Sequence, residues 1–175
     1  MKTCIALLRA VNVGGTGKLP MTDLKLMCEA AGFAQVRTYI ASGNVVLRSA
    51  TAPAQVKAAL ETSLAAYAGK PVGVMVRTAA EMAEVLASNP FPDAAPNRTV
   101  VIFLDAAPPA DTLDRISHQA SEEIVLGKRE IYVHYGAGMA SSRLVIPAAK
   151  TGTGRNLNTV TRLVEMAGAA EAGKR

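Results

Sequence analysis

The segment that decides the fold is Ile5-Ala6-Leu7-Leu8-Arg9-Ala10-Val11-Asn12-Val13-Gly14-Gly15-Thr16-Gly17-Lys18-Leu19-Pro20-Met21. It begins as an apolar run, passes through a glycine-rich loop and enters a helix at Pro20. Alternate side chains of a strand point to opposite faces of a sheet. Because both faces of this run are apolar up to Arg9, the pattern predicts an interior strand that is covered on both sides.

Arg9 and the loop after it suggest a polar site. An arginine is costly to bury without a partner, so we expect Arg9 to lie at the strand end near water or to meet a fixed acceptor. Gly14 and Gly15 can adopt positive φ and present backbone N–H groups. A strand, a glycine loop and a helix start, in this order, can hold an anion. A tight connection with Lys18 in solvent explains the same residues equally well.

The loop is not a P-loop, although Gly17-Lys18 resembles the end of one. The P-loop pattern requires a glycine five positions before Gly17 and a serine or threonine after the lysine. Those positions hold Asn12 and Leu19. The nucleotide-binding chemistry that this motif supplies is therefore excluded here.

Composition indicates a folded protein with a modest positive charge. The chain has 175 residues, 50% of them hydrophobic, which suffices for one full core or for two halves. The net charge of +5 favours anionic partners weakly, and the basic residues are scattered. Cys4 and Cys28 fall on apolar faces and are expected to be buried free thiols. Without a signal peptide pattern or an apolar run of membrane-spanning length, we expect a cytoplasmic protein that does not enter membranes.

The order of predicted elements gives the fold class. Up to residue 78 it is β-α-β-β-α-β, with Ser42-Gly43-Asn44 as a hairpin turn and the fourth strand at 71–77. This order predicts an α+β fold with a ferredoxin-like N-terminal unit. The later elements predict a second, incomplete βαββ half, with a helix carrying Leu113, Ile116 and Ala120, and with helices in place of its last strand. We expect domains at 1–78 and 79–175, the second packed on the first, and the chain after residue 90 to cover the open face of the first sheet.

Candidate catalytic groups are few, and we assign none. The two histidines are His118, expected on a helix, and His134, expected in a strand. Asp105 and the pair Glu122-Glu123 could serve as bases, but nothing in the spacing pairs them. No spacing typical of metal ligands or of an activated nucleophile occurs, so no metal site is predicted, while the questions of a cofactor and of catalysis stay open.

A second polar cluster lies near the C-terminus, in Lys150-Thr151-Gly152-Thr153-Gly154-Arg155-Asn156-Leu157-Asn158-Thr159. It leads into a helix, whose free N–H groups and positive end favour an anion. Capping of that helix by Thr153 or Asn156 is the structural alternative. Capping requires one such residue, whereas the cluster combines Arg155, Asn156, Asn158 and Thr159.

Several motifs resemble a bacterial family known as domain of unknown function 1697. They are Ala6-Leu7-Leu8-Arg9, Asn12-Val13-Gly14-Gly15 with Lys18 and Met21, Thr38-Tyr39-Ile40, Ser42-Gly43-Asn44-Val45, Asn89-Pro90-Phe91 and Arg155-Asn156-Leu157-Asn158-Thr159. Leu157 departs from the pattern, since many relatives carry tryptophan there. The resemblance implies a compact α+β fold with a ferredoxin-like first part, and it implies no reaction.

Three hypotheses of function follow. The first is a domain that binds a small anionic ligand, such as a nucleotide or a phosphorylated metabolite, through charge-assisted hydrogen bonds. The second is a structural or protein-interaction role. Nucleic-acid binding is third, because the first and third strands lack the aromatic residues on which such sheets stack bases. The oligomeric state is not predicted.

The predicted ligand site combines residues of the three polar motifs. Its members are Arg9, Asn12, Gly14, Gly15, Lys18, Ser42, Asn44, Arg155, Asn156, Asn158 and Thr159. Ser42 and Asn44 fit the set less well than the others. In the expected strand order, the hairpin turn would lie at the opposite end of the sheet from the end of the first strand.

Overall fold

The computed structural model describes residues 1–13 and 18–173, which contain four α-helices and two four-stranded antiparallel sheets. The α+β class predicted from the sequence is confirmed. The chain forms two compact units. The first comprises residues 1–83 together with the segment from Arg162, and the second comprises residues 84–161.

The first unit has the predicted ferredoxin-like order. Its elements are β1 (Lys2–Leu8), α1 (Met21–Ala30), β2 (Ala34–Tyr39), β3 (Asn44–Ser49), α2 (Pro53–Ala68), β4 (Val74–Thr78) and the start of α3 (Ala79–Ala87). The sheet has the order β2-β3-β1-β4, and each neighbouring pair is antiparallel. Strand β4 begins three residues later than predicted, so residues 71–73 precede the sheet as a loop.

Strand β1 is interior and covered on both faces, as its sequence predicts. Residues 3–8 are all buried. Cys4, Ala6 and Leu8 share one apolar cluster with Leu24 of α1 and Leu60 of α2. Ile5 and Leu7 point to the other face and are also fully buried. Both faces therefore exclude water.

Arg48 shows what lies against the second face of this sheet. Its guanidinium donates to the carbonyl oxygens of Met1 (2.6 Å) and Ala170 (3.4 Å), and only 3% of the residue is exposed. Ala170 belongs to α4 (Leu157–Ala172), the last helix. The expectation that chain after residue 90 contributes to covering this face is confirmed at that contact.

The β2–β3 hairpin turn lies at the C-terminal end of β1, so the sequence-based expectation that it lies at the opposite end is wrong. Leu7 pairs with Asn44 at the start of β3, because β1 and β3 are antiparallel. The N–H of Leu8 donates to the carbonyl of Gly43 over 2.9 Å. The expectation overlooked that an antiparallel neighbour begins where its partner ends.

The second unit repeats the strand order of the first. Its strands are β5 (Thr99–Phe103), β6 (Glu123–Leu126), β7 (Glu130–His134) and β8 (Thr153–Asn156), and the sheet order is β6-β7-β5-β8. Short 3-10 turns at Pro96–Arg98, Leu113–Arg115 and Pro147–Thr151 connect the strands. The βαββ-type half predicted from the sequence thus has its own sheet.

Two details of this unit differ from the prediction. The helix expected through Ile116 and Ala120 is only a 3-10 turn, because Ser117 exchanges backbone hydrogen bonds with Val145 and the chain becomes extended. His118, expected on that helix, instead has φ of +58°. The last strand is present as β8, which pairs with β5 where helices were expected.

Within the described part of the chain, no helix combines the length and apolar character needed to cross a bilayer.

Candidate functional site: a cationic cleft in the first unit

A cleft of about 370 Å³ opens where β1 ends and β4 begins. Leu8, the last residue of β1, pairs with Val74, the first residue of β4. The segment after β1 and the segment before β4 therefore run side by side. The N–H of Arg9 donates to the carbonyl of Gly73 over 2.8 Å, which holds the segments together. The end of α2 and the residues before α1 complete the walls.

The lining combines cations with an apolar floor. The basic side chains are Arg9, Lys18 and Lys70, and all three residues are exposed. The apolar and aromatic members are Val11, Leu19, Leu64, Val72 and Tyr67. A concave site with apolar walls and a few convergent polar groups is typical of small-molecule binding.

In the described part of the chain, the charged side chains that line this cleft are all positive, and the carboxylate of Asp23, which accepts from the Tyr67 hydroxyl, is not among the lining residues. Among the described residues, no carboxylate lines it, and Lys18 and Lys70 form no ion pair. Like charges gathered around one cavity raise the local concentration of anions. The cleft is therefore electrostatically suited to an anionic ligand.

Arg9 lies one residue beyond β1 and is exposed, which confirms the first of the two alternatives drawn from the sequence. Its Cβ and Cδ are 3.6 Å from the position that a side-chain carbon at Gly73 would occupy. The aliphatic part of Arg9 thus passes over the loop before β4. Arg9 and Lys18, both predicted site residues, line the same cleft.

Asn12 closes the base of the glycine loop. Its side-chain amide donates to the carbonyl of Leu19 (2.9 Å) and accepts from the N–H of Leu19 (2.6 Å). The same amide donates to the carbonyl of Ala41 (2.7 Å), which ties the loop to the hairpin turn. Asn12 therefore fixes the backbone of Leu19, the residue after Lys18. Gly14 and Gly15 lie outside the described residues.

Ser42 and Asn44 organise the hairpin turn. The amide of Asn44, which is fully buried, donates to the carbonyl of Tyr39 (2.8 Å) and to the hydroxyl of Ser42 (2.9 Å). Neither residue lines the cleft. These contacts show that both side chains stabilise the turn. The turn is bonded to Asn12 through the carbonyl of Ala41.

Arg155 lies in the second unit and is 7% exposed. Its guanidinium donates to the hydroxyl of Thr153 (2.7 Å) and to the carbonyl of Gly154 (2.9 Å). Burial lowers the pKa of Arg155 to about 10, because a buried charge loses its hydration. The arginine keeps its proton at neutral pH.

Asn156 caps α4, as the structural alternative proposed. Its side-chain oxygen accepts from the N–H of Thr159 over 2.9 Å. Thr159 is buried and Asn158 is exposed. That these residues and Arg155 close the same site as Arg9 stays a prediction.

Sequence reasoning found Arg9 and Lys18 but missed the other two polar side chains in the described lining of the cleft, those of Tyr67 and Lys70. Helical spacing with Leu60 and Leu64 predicts Tyr67 on the apolar stripe of α2, yet 48% of the residue is exposed. Lys70 follows Gly69, which ends α2 in the left-handed conformation. The antiparallel pairing of the first and fourth strands is the signal that could have found Lys70, because it places the residues before β4 beside those after β1.

Groups with catalytic potential do not gather elsewhere in the described residues. His134 Nδ1 lies 4.0 Å from Glu123 Oε1, and its ring centroid is 5.8 Å from that of Phe91. Cys4 and Cys28 are buried free thiols, as predicted, and burial raises both pKa values. Residues 1–13 and 18–173 contain no group of three potential metal ligands.

Comparison with solved structures gives a similar fold. The conserved bacterial protein SP0830 from Streptococcus pneumoniae matches with a TM-score of 0.79 and 22% sequence identity. The match covers 95% of this chain and 98% of that one. At this identity the likeness shows the fold alone.

No curated protein matches the sequence. A family model described as "Protein of unknown function (DUF1697)" matches residues 1–132, which include β1, the hairpin turn, α2 and every residue that lines the cleft. The resemblance seen in the sequence motifs is thereby confirmed, and the chain belongs to the DUF1697 family.

Proposed function

We propose that the protein binds a small anionic molecule, a nucleotide or another phosphorylated metabolite, in the cleft of its first unit. The observation that carries the proposal is the convergence of Arg9, Lys18 and Lys70 on one cavity without a lining carboxylate in the described chain. A phosphate there would accept charge-assisted hydrogen bonds from guanidinium and ammonium groups. No reaction is proposed.

The floor of the cleft supports a bound molecule rather than a loosely held ion. Val11, Leu19 and Leu64 are largely buried and lie next to the three cations. A ligand that covers this apolar surface removes it from water while its phosphate remains near the rim. Two hydrogen bonds with the side chain of Asn12 hold the backbone of Leu19 in place.

Isothermal titration calorimetry tests the proposal. Inorganic phosphate, ribose phosphate and adenosine monophosphate are titrated into the whole chain and into Arg9→Gln and Lys70→Gln. Each substitution removes one cation, and we expect affinity to fall by about tenfold, the scale of a lost hydrogen bond to a charged group. Arg37→Gln and Lys25→Gln are matched controls, because these residues are exposed and do not line the cleft.

Equal losses of affinity in the cleft variants and in the control variants would show that binding depends only on the net charge of the protein. Absence of binding by every phosphate would reject the proposal and leave a structural or interaction role. Raising the salt concentration should weaken genuine binding, since exposed charges are screened.

A further inference from the structure

Tyr67 is a surface tyrosine held in one orientation. It lies near the end of α2 and is 48% exposed, yet its hydroxyl donates to Asp23 Oδ2 of α1 over 2.8 Å. The two residues are 44 positions apart. Because a tyrosine side chain has only two rotatable torsions, this bond leaves its ring little freedom.

The bond is maintained at neutral pH. The hydrogen bond to Asp23 raises the pKa of Tyr67 above its ordinary value, which is already well above neutral pH. The hydroxyl therefore keeps the proton that it donates. Asp23 thereby acts as an anchor for the ring. It uses the only polar atom of the phenol, and the aromatic face is left for apolar contact.

Tyr67 lines the same cleft as the cations. Tyr67 lies three residues before Lys70 in the sequence. Leu64, one turn earlier on α2, lines the same cavity. The cleft thus offers an aromatic surface and a phosphate-attracting rim within about 370 Å³. Rings of nucleobases stack on such surfaces without regard to base identity.

We propose that the ligand of this cleft is a nucleoside phosphate whose base stacks on Tyr67 and whose phosphate meets Arg9, Lys18 and Lys70. The inference rests on the proposed function and adds the aromatic half of the ligand. A sugar phosphate would satisfy the cations and leave the ring of Tyr67 in water. The lining described by the structure has one aromatic residue, Tyr67, and one ring serves one base, which suits a mononucleotide better than a nucleic acid strand.

The experiment compares ligands with and without a base. Adenosine monophosphate and ribose phosphate are titrated into the whole chain, into Tyr67→Leu and into Tyr67→Phe. We expect adenosine monophosphate to bind at least about tenfold more tightly than ribose phosphate, the effect of stacking one base on an aromatic ring. Tyr67→Leu should abolish this difference in affinity, whereas Tyr67→Phe, which keeps the aromatic ring, should retain most of it.

A second measurement does not depend on a variant. Proton nuclear Overhauser effects between the adenine ring and the ring of Tyr67 are expected in the bound state, because stacked rings lie within a few ångströms. Circular dichroism establishes that each variant is folded. Should Tyr67→Leu fail to fold, this measurement on the native chain decides the question.

The failures of the two proposals differ. If ribose phosphate binds as tightly as adenosine monophosphate and both require Lys70, the stacking inference is overturned and the anion site stands. The inference also fails if Tyr67→Leu weakens both ligands equally, or if the Overhauser effects are absent. If neither ligand binds, both proposals are rejected.

Discussion

Gly43 occupies a position where a side chain would both strain the backbone and crowd its neighbours. Its φ is +90°, in the left-handed region, and a Cβ there would lie 2.7 Å from Val11 Cγ2 and 2.9 Å from Leu8 Cβ. The hairpin turn therefore approaches the end of β1 at a distance that only glycine permits. This approach aligns the turn with Asn12 and with the base of the loop before α1.

We expect Gly43→Ala to lower the free energy of unfolding by about 2–4 kcal/mol, combining the cost of positive φ with that of overpacking. Gly32→Ala is the matched control, since Gly32 has φ of +93° and open space around its Cα. It should cost only the backbone term, about 1–2 kcal/mol. Urea denaturation measures the free energy of unfolding of both variants. An equal decrease in the two would refute the argument that Gly43 is needed for the close approach.

The thiol of Cys28 gives a prediction about pH. Burial raises its pKa to about 12, whereas the pKa of a thiol in an unfolded chain is about 8.5. The folded state therefore binds this proton more tightly, and stability falls as pH rises above the unfolded value. At pH 10 the loss from this group is about 2 kcal/mol. Unfolding free energies of the native chain and Cys28→Ala, measured from pH 7 to 10, should converge as pH rises; a constant gap would contradict the expectation.

Helix α2 is tied to the start of β4 by a pair of charged residues. Lys57 Nζ donates to the carbonyl of Val74 (2.6 Å) and to Glu61 Oε2 (3.3 Å). The same carboxylate oxygen accepts from the N–H of Val74 over 3.2 Å. Both backbone groups at the first residue of the edge strand are thus satisfied by one helix. The clamp fixes the loop at 71–73, which forms a wall of the cleft.

We expect Glu61→Ala to lower the free energy of unfolding by about 1–2 kcal/mol, because it removes hydrogen bonds to a charged group and leaves the Val74 N–H without this acceptor. Amide hydrogen exchange at Val74 should accelerate, while exchange at Val46 in the sheet interior should change only with global stability. Glu29→Ala is the control, as Glu29 is an exposed helical carboxylate. Unchanged exchange at Val74 would show that the clamp is dispensable.

Elements with a strong local pattern were predictable from sequence. The sequence predicts strands at 44–49 and 123–126, and β3 and β6 have these bounds, since each adjoins clear turn residues. Strand β8 could not be predicted, because Thr153-Gly154-Arg155-Asn156 has only one β-branched residue, shows no alternation of apolar and polar side chains, and becomes a strand through its pairing with β5. In the site, Arg9 and Lys18 were found because they flank a conspicuous loop. Lys70 becomes adjacent only through strand pairing across 61 positions, which no local pattern encodes.

The first unit is discontinuous in sequence, and this shapes the stability of the molecule. Its chain leaves after residue 83 and returns at Arg162. The returning helix supplies the Ala170 carbonyl to Arg48, and Glu171 lies 4.0 Å from the same guanidinium. A buried arginine that loses acceptors is strongly destabilising. The sheet therefore depends on residues that are distant in sequence.

We expect a chain that ends at Thr161 to be less stable than the whole chain by several kcal/mol, because Arg48 loses acceptors and the buried side chains of Met166 and Ala167 are removed. Hydrogen exchange at the amides of β1 and β3 reports the effect within the first unit. Arg162→Ala, at an exposed position of α4, controls for changes in the helix itself. Undiminished protection of β1 in the shortened chain would refute the dependence.

The same discontinuity sets an order of events during synthesis. Residues 1–83 leave the ribosome first, but the helix that meets Arg48 follows only after all of residues 84–161 have been translated. At about 5–20 residues per second, this interval is on the order of ten seconds. For that time the nascent sheet carries an arginine and an apolar face whose partner does not yet exist. The second unit can complete its strands earlier, so the unit that contains β1 finishes folding after the strands of the second unit have been made.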